Sequence, residues 1–234
     1  HAEWNRTIGL SSSPQYLVIG HVTKDVQADS SFRIGGTATY AALAAARLGL
    51  SVAVLTSVNG DFRPFEGEPS IALHARPAEN TTVFENIYLG KHRKQYIRAL
   101  AQMLTVDDLL PEWAHAPIVH LGPLCQEVSL DLVDAFPHSL LGVTPQGFLR
   151  HWDQDGLVSP TEWVGAEHVL EVADVVVLSL QDLGGDRTQL ERYIRRAKLL
   201  VLTVGEDGAI VYQHGRSARM PAFEVVEIDP TGAG

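Results

Sequence analysis

The sequence predicts an α/β protein, a three-layer α/β/α sandwich with a mainly parallel sheet and a projecting β-lid. Three observations carry this. Apolar runs such as Tyr16-Leu-Val-Ile-Gly20 and Ala173-Asp-Val-Val-Val-Leu178 have the near-continuous hydrophobicity of buried parallel strands. They alternate with segments of helical period, the pattern that builds a parallel sheet with helices on its faces. The stretch Asp229-Pro-Thr-Gly-Ala-Gly234 follows an apolar run and stands where a helix would begin. Such a turn gathers backbone N–H groups beside the positive end of a helix dipole, and its glycines admit a phosphate.

Composition bounds the rest. The 234 residues suffice for one α/β domain with a sizeable core, taken here as residues 1–234. A net charge of -10 argues against a nucleic-acid partner. It leaves a phosphorylated ligand open, since helix N-termini and a divalent metal supply positive field locally. The single cysteine, Cys125, rules out an internal disulfide and suits a cytoplasmic protein. No apolar run reaches membrane-spanning length, so no membrane association is expected. The ten histidines show no metal-ligand spacing.

Along the chain, residues 16–20 read as a strand whose carboxyl end would face a ligand. Asp25 follows five residues after Gly20 without a G-x-G-x-x-G turn, which counts against a dinucleotide-binding domain. From position alone Asp25 is a loop cap, a solvated charge or an acceptor for ligand hydroxyls. Gly35-Gly36 opens a helix to about Leu48 that is thin with alanine, closed by Gly49 and able to lie close to a sheet. Residues 51–57 make the next strand. Residues 81–89 and 94–100 flank Gly90-Lys-His-Arg93 as a hairpin polar on both faces, suited to a lid or to pairing with a second subunit. Further units follow: a strand at 117–121, a helix at 130–136, strands at 140–144 and 173–178, and a helix capped by Asp186. In that last helix Leu190, Tyr193, Ile194 and Ala197 form a core stripe. Residues 199–204 and 209–212 are strands around the turn Gly205-Glu-Asp-Gly208, and a β-rich run covers 223–228.

These stretches together resemble the ribokinase-like (PfkB) carbohydrate kinases over essentially the whole chain. Asp229 to Gly234 is similar to their D-x-x-G-A-G-D signature, and residues 35–62 to their long first signature. Thr203, Gly205 and Gly208 match T-x-G-x-x-G, and Ser179 and Asp182 stand at N-x-x-E with shorter oxygen side chains. Tyr40 stands where many members have Asn. Several details, among them Tyr40, residues 81–85, the pair Gln146 and Arg150, and Ser179, resemble myo-inositol kinases.

The resemblance implies phosphoryl transfer from ATP to an alcohol of a sugar or polyol. Asp25, the Gly35 and Gly36 amides and Tyr40 would bind the acceptor. Gly232, Ala233 and Gly234 would form the anion hole, with Ser179, Asp182, Thr203, Gly205 and Gly208 along the nucleotide. Mg2+ would bridge the phosphates, and Asp229 and Thr231 would build a K+ site as in some relatives. The lid would combine segments near 22–34 and 81–100 and could join two copies in a homodimer. The general base would be the residue after Gly234, so residues 1–234 alone are expected not to transfer phosphate. A nucleoside kinase and a non-catalytic sugar-binding or regulatory protein are the rival readings.

Overall fold

The computed structural model describes residues 13–27, 29–89 and 92–224. Its spine is a nine-stranded sheet. Seven strands are parallel: β1 (Tyr16–Ile19), β4 (Val52–Asn59), β5 (Ile71–Ala78), β8 (Ile118–Leu121), β9 (Leu140–Val143), β12 (Val175–Ser179) and β13 (Leu199–Thr203). The antiparallel strands β14 (Ala209–Gln213) and β15 (Arg216–Met220) extend one edge, giving the order β15-β14-β13-β12-β9-β8-β1-β4-β5. A second sheet, in the order β3-β2-β6-β7, comprises β2 (Thr23–Val26), β3 (Phe32–Gly35), β6 (Val83–Leu89) and β7 (His92–Ala99), and β10 (Arg150–Trp152) pairs separately with β11 (Val158–Pro160).

Helices cover the two faces of the large sheet unequally. On one side lie α2 (Ala166–Val172) and α3 (Arg187–Arg196), packed over Leu17, Ile19, Val119, Leu141, Val176 and Leu200. Helix α3 starts as its sequence suggests: the Asp186 carboxylate accepts from the N–H groups of Thr188 and Gln189. On the other side α1 (Thr37–Arg47) lays Ala38, Ala42 and Ala45 against Val18, Val52 and Val54. Their small side chains allow the close approach.

Among the described residues α1 covers only the β1–β4–β5 side. The strands β12 and β13 therefore alternate buried and half-buried residues instead of being buried throughout. The strand near 173–178, expected to be buried throughout, is fully buried on one face and half-buried on the other. The helix expected over 130–136 is only a 3-10 turn, Leu130–Val133. Pro137 follows closely and disfavours helical geometry in the residue before it. Strand β5 contains Pro77, which reads as a breaker, yet β5 is an edge strand where a missing N–H costs nothing. Of the β-rich run at 223–228, Phe223 and Glu224 lie in no strand, and the rest falls outside the described residues.

The small sheet, hereafter the lid, is built from the two segments expected to form it. Its hairpin is less polar than its sequence suggests, because Phe84 and Ile97 are buried with Leu124 and Cys125 against Trp152 and Val158. That corrects the reading of two solvated faces: one face rests on the body. On the other side the Lys24 ammonium lies 4.7 Å from the Phe32 ring centre and 4.8 Å from that of Phe62. Phe62 belongs to the loop after β4, so this cation–π pair ties the lid strands to the body.

Two imidazoles in the large sheet link its stability to pH. Burial lowers the pKa of His120 to about 4. It lowers that of His74 as well, against the opposing charges of Asp108 and Glu112. The unfolded chain then binds protons that the folded chain refuses, so stability is full above the ordinary histidine pKa. It is lost as pH falls from 6.5 toward about 4. His120 keeps some accessible surface, which limits the expected loss to roughly 1–3 kcal/mol. Urea unfolding at the two ends of that range checks this, with a smaller slope expected for His120→Gln. A midpoint that holds or rises in acid would contradict it.

Candidate functional site

The parallel strands all point their carboxyl ends to one edge, where β1, β8, β9, β12 and β13 release loops toward the lid. Polar groups at such an edge face a common crevice. Asp25 reaches it from the lid strand β2. Its Oδ1 accepts a 2.9 Å hydrogen bond from the Thr23 hydroxyl, and Thr23 is fully buried. Across the β2–β3 pairing stands Gly35, where an added Cβ would lie 2.3 Å from Asp25 Oδ2. Only a residue without a side chain leaves the carboxylate in place.

Gly36 then caps α1 with φ 96°, and a Cβ there would meet the His21 carbonyl oxygen at 2.5 Å. The Thr39 hydroxyl donates to the Gly35 carbonyl at 2.6 Å, fixing the turn into the helix. Asp25, Gly35 and Gly36 thus come together, as expected. Tyr40 lies on the first turns of α1, half-buried and outside the buried set Ala38, Thr39, Ala42 and Ala45. Its ring is not part of the helix's core stripe.

Next to Gly36, through His21, lies a bracket that sequence reasoning missed. Glu127, almost fully buried, accepts backbone N–H bonds from His21 at 3.0 Å, Leu124 at 2.8 Å and Cys125 at 2.7 Å. The His21 ring is fully buried as well. Its Nε2 lies 2.8 Å from the Gln102 carbonyl oxygen, which can only accept, so Nε2 carries the proton. Nδ1 therefore accepts from the Thr82 hydroxyl at 2.7 Å, and Thr82 in turn accepts from the Ala101 N–H at 3.0 Å. Residue 21 joins the body to β2, while Thr82 and Gln102 flank the lid hairpin. One side chain thus ties both ends of the hairpin to the body.

His21, Cys125 and Glu127 bring their ligand atoms within 4.8 Å of one another, close enough to suggest a metal centre. The bonding does not fit one. Both imidazole nitrogens are engaged, and both Glu127 oxygens are held by amides. Burial and the adjacent Glu127 push the Cys125 thiol well up, away from the thiolate that metals require. The cluster is a structural network.

At the end of β12, Ser179 and Asp182 close on each other. The Ser179 N–H and hydroxyl donate to Asp182 Oδ2 at 2.8 and 2.7 Å, and the Gln146 amide donates to Oδ1 at 3.0 Å. Among these contacts Oδ1 accepts one bond and retains capacity for a water of a hydrated cation, an oxygen environment suited to Mg2+. Thr203 pairs with Ser179 in the neighbouring strand. Gly205 and Gly208 form the β13–β14 turn, closed by bonds from Gly208 N–H to Gly205 and from Val204 N–H to Gly208. The remaining expected residues, Asp229, Thr231, Gly232, Ala233 and Gly234, lie outside the described residues.

No protein-family model and no curated protein matches this chain. Solved structures do. One is described as a pyrophosphate-dependent kinase in the ribokinase family complexed with a pyrophosphate analog and myo-inositol. The chain is 24% identical to it with a TM-score of 0.76, covering 94% of this chain and 82% of that one. A nucleoside kinase from Methanocaldococcus jannaschii gives 16% identity and a TM-score of 0.64, covering 95% and 82%. A fructokinase double mutant from Vibrio cholerae, in its fructose-, ADP- and potassium-bound form, gives 19% and 0.68, covering 96% and 81%. The likeness establishes the fold.

Proposed function

We propose that this chain, a ribokinase-like α/β/α sandwich, transfers a phosphoryl group to a hydroxyl of a sugar or cyclic polyol, with a myo-inositol-like polyol preferred. The observation that carries the reading is Asp25, held by a lid strand over Gly35 beside the N-terminus of α1. A carboxylate so placed accepts from two adjacent hydroxyls and orients a third for in-line attack. The lid above excludes water that would otherwise compete for the phosphoryl group.

On this reading the donor lies toward Ser179, Asp182 and Thr203. ATP is the donor implied by the T-x-G-x-x-G stretch. Pyrophosphate is the second candidate, since similar solved structures are described as pyrophosphate-dependent kinases. Asp182, steadied by Gln146 and Ser179, would hold Mg2+ through water. When bound, that ion neutralises charge on the donor phosphates. The rest is positioning by the chain's own groups.

Tyr40 sets the acceptor preference. It offers an apolar ring face and a single hydroxyl where an Asn would offer two polar groups. A cyclic polyol can pack its C–H face on the ring while its hydroxyls reach Asp25. Ribose would leave a polar group unpaired, at a cost of roughly 1–3 kcal/mol. The test is a screen of the full-length protein with ATP and with pyrophosphate against myo-inositol, ribose and nucleosides. The expected result is a kcat/KM for myo-inositol about tenfold or more above that for ribose. Ribose at or above inositol defeats the preference; binding of a polyol with no transfer from either donor favours a sugar-binding protein.

A further inference from the structure

A line of three polar side chains crosses the large sheet and ends at the crevice. The Tyr16 hydroxyl lies 2.7 Å from His120 Nδ1, and His120 Nε2 lies 3.0 Å from the Thr144 hydroxyl. Thr144 directly follows β9, and its N–H donates to the Leu121 carbonyl. Its hydroxyl sits beneath the start of α1: a Cβ added at Gly122 would lie 2.8 Å from Thr37 and 3.5 Å from Thr144 Oγ1. Two residues further on, Gln146 holds Asp182. Thr144 therefore stands between the side assigned to the acceptor and the side assigned to the donor.

Chemistry fixes the direction of the chain. A neutral imidazole carries one N–H and one lone pair, so the line must run one way or the other. A phenol is a more acidic hydroxyl than an aliphatic alcohol, hence the better donor, and the alcohol the better acceptor. Tyr16 O–H then donates to Nδ1, and Nε2–H donates to Thr144 Oγ1. The Thr144 proton is left for a partner beyond the line, and among the described residues its hydroxyl makes no other bond. Burial supports this, lowering His120 to about 4 and raising Tyr16 to about 12, so that neither is charged near neutrality.

We propose that Thr144 donates a hydrogen bond to a phosphoryl oxygen in this crevice, and that Tyr16 and His120 are positioning residues that aim its proton outward. The ligand assigned to it rests on the phosphotransfer reading. A donor aimed at an oxygen that gains charge in the transition state acts on kcat more than on acceptor KM.

The experiment has two parts. Nitrogen-detected NMR of the His120 ring should show the Nε2–H tautomer, mixed with the other in Tyr16→Phe. In the full-length protein, Thr144→Val should lower kcat roughly 10- to 100-fold, with acceptor KM within about twofold and a melting temperature lower by a few degrees, because the His120 Nε2–H loses its acceptor. Thr144→Ser, which keeps the hydroxyl, should restore most of the rate. Should wild type transfer phosphate to no acceptor, the phosphotransfer reading fails separately. Calorimetric titration with inorganic pyrophosphate then decides, with about tenfold weaker binding expected for Thr144→Val. An Nδ1–H tautomer in wild type overturns the proposal. So does an unchanged kcat in Thr144→Val, or pyrophosphate binding that is absent in wild type or equal in both.

Discussion

Asp25→Asn is expected to lower kcat/KM for the acceptor by about 100-fold or more, while the fold stays intact. The carboxylate can accept from two hydroxyls, and each charge-assisted bond is worth ~1.5–3 kcal/mol. Asn keeps the shape but offers one acceptor oxygen and turns a donor toward the second hydroxyl. Because these bonds also orient the attacking group, kcat should fall along with a rise in KM. The Thr23 hydroxyl can still donate to the amide oxygen. Steady-state kinetics on the full-length variant, with a thermal melt alongside, make the measurement. Acceptor kinetics within about threefold of wild type would make Asp25 a structural carboxylate of β2, whatever the melt shows.

Glu127→Gln is expected to carry the largest stability cost, about 3 kcal/mol or more. The buried carboxylate accepts from the amides of His21, Leu124 and Cys125 with both oxygens. An amide at that position keeps one acceptor and presents N–H to backbone N–H, leaving buried donors unpaired at roughly 1–3 kcal/mol each. For a chain of this size that is a fall of about 6–12 °C in melting temperature. Hydrogen exchange should quicken in β6 and β7 as well as in the loop at 122–127, because His21 links that loop to Thr82 and Gln102. A variant that melts with wild type, with the lid amides still protected, would show that the bracket does not hold the lid.

The sequence made the local features legible. The unbroken apolar run at 16–20, the alanines of α1, the Asp186 cap and the Gly205–Gly208 turn each follow from period, propensity or turn chemistry within a few residues. The nearness of Asp25 to Gly35-Gly36 was expected from family resemblance; the β2–β3 register sets Gly35 opposite Thr23, and the Asp25 carboxylate reaches diagonally over Gly35. Strand β5 was not read from the sequence; it contains Pro77, and only the sheet order shows that it stands at an edge, where proline is tolerated. The hairpin's faces were misjudged for a related reason. Phe84 and Ile97 sit among polar neighbours in sequence, and the body they rest on comes from residues 124–125 and 152–158.

By itself, then, the sequence determined the α/β class and the turns that follow the strands, since each depends on neighbours along the chain. Tertiary structure alone decided how that edge is held. The His21–Glu127, His21–Gln102 and His21–Thr82 bonds join residues 106, 81 and 61 positions apart, and the Tyr16–His120 bond spans 104. Bonds across such separations impose no period on the sequence. They exist because a parallel sheet returns the chain repeatedly to the same edge, where a buried polar group must find its partner among whatever strand the topology sets beside it.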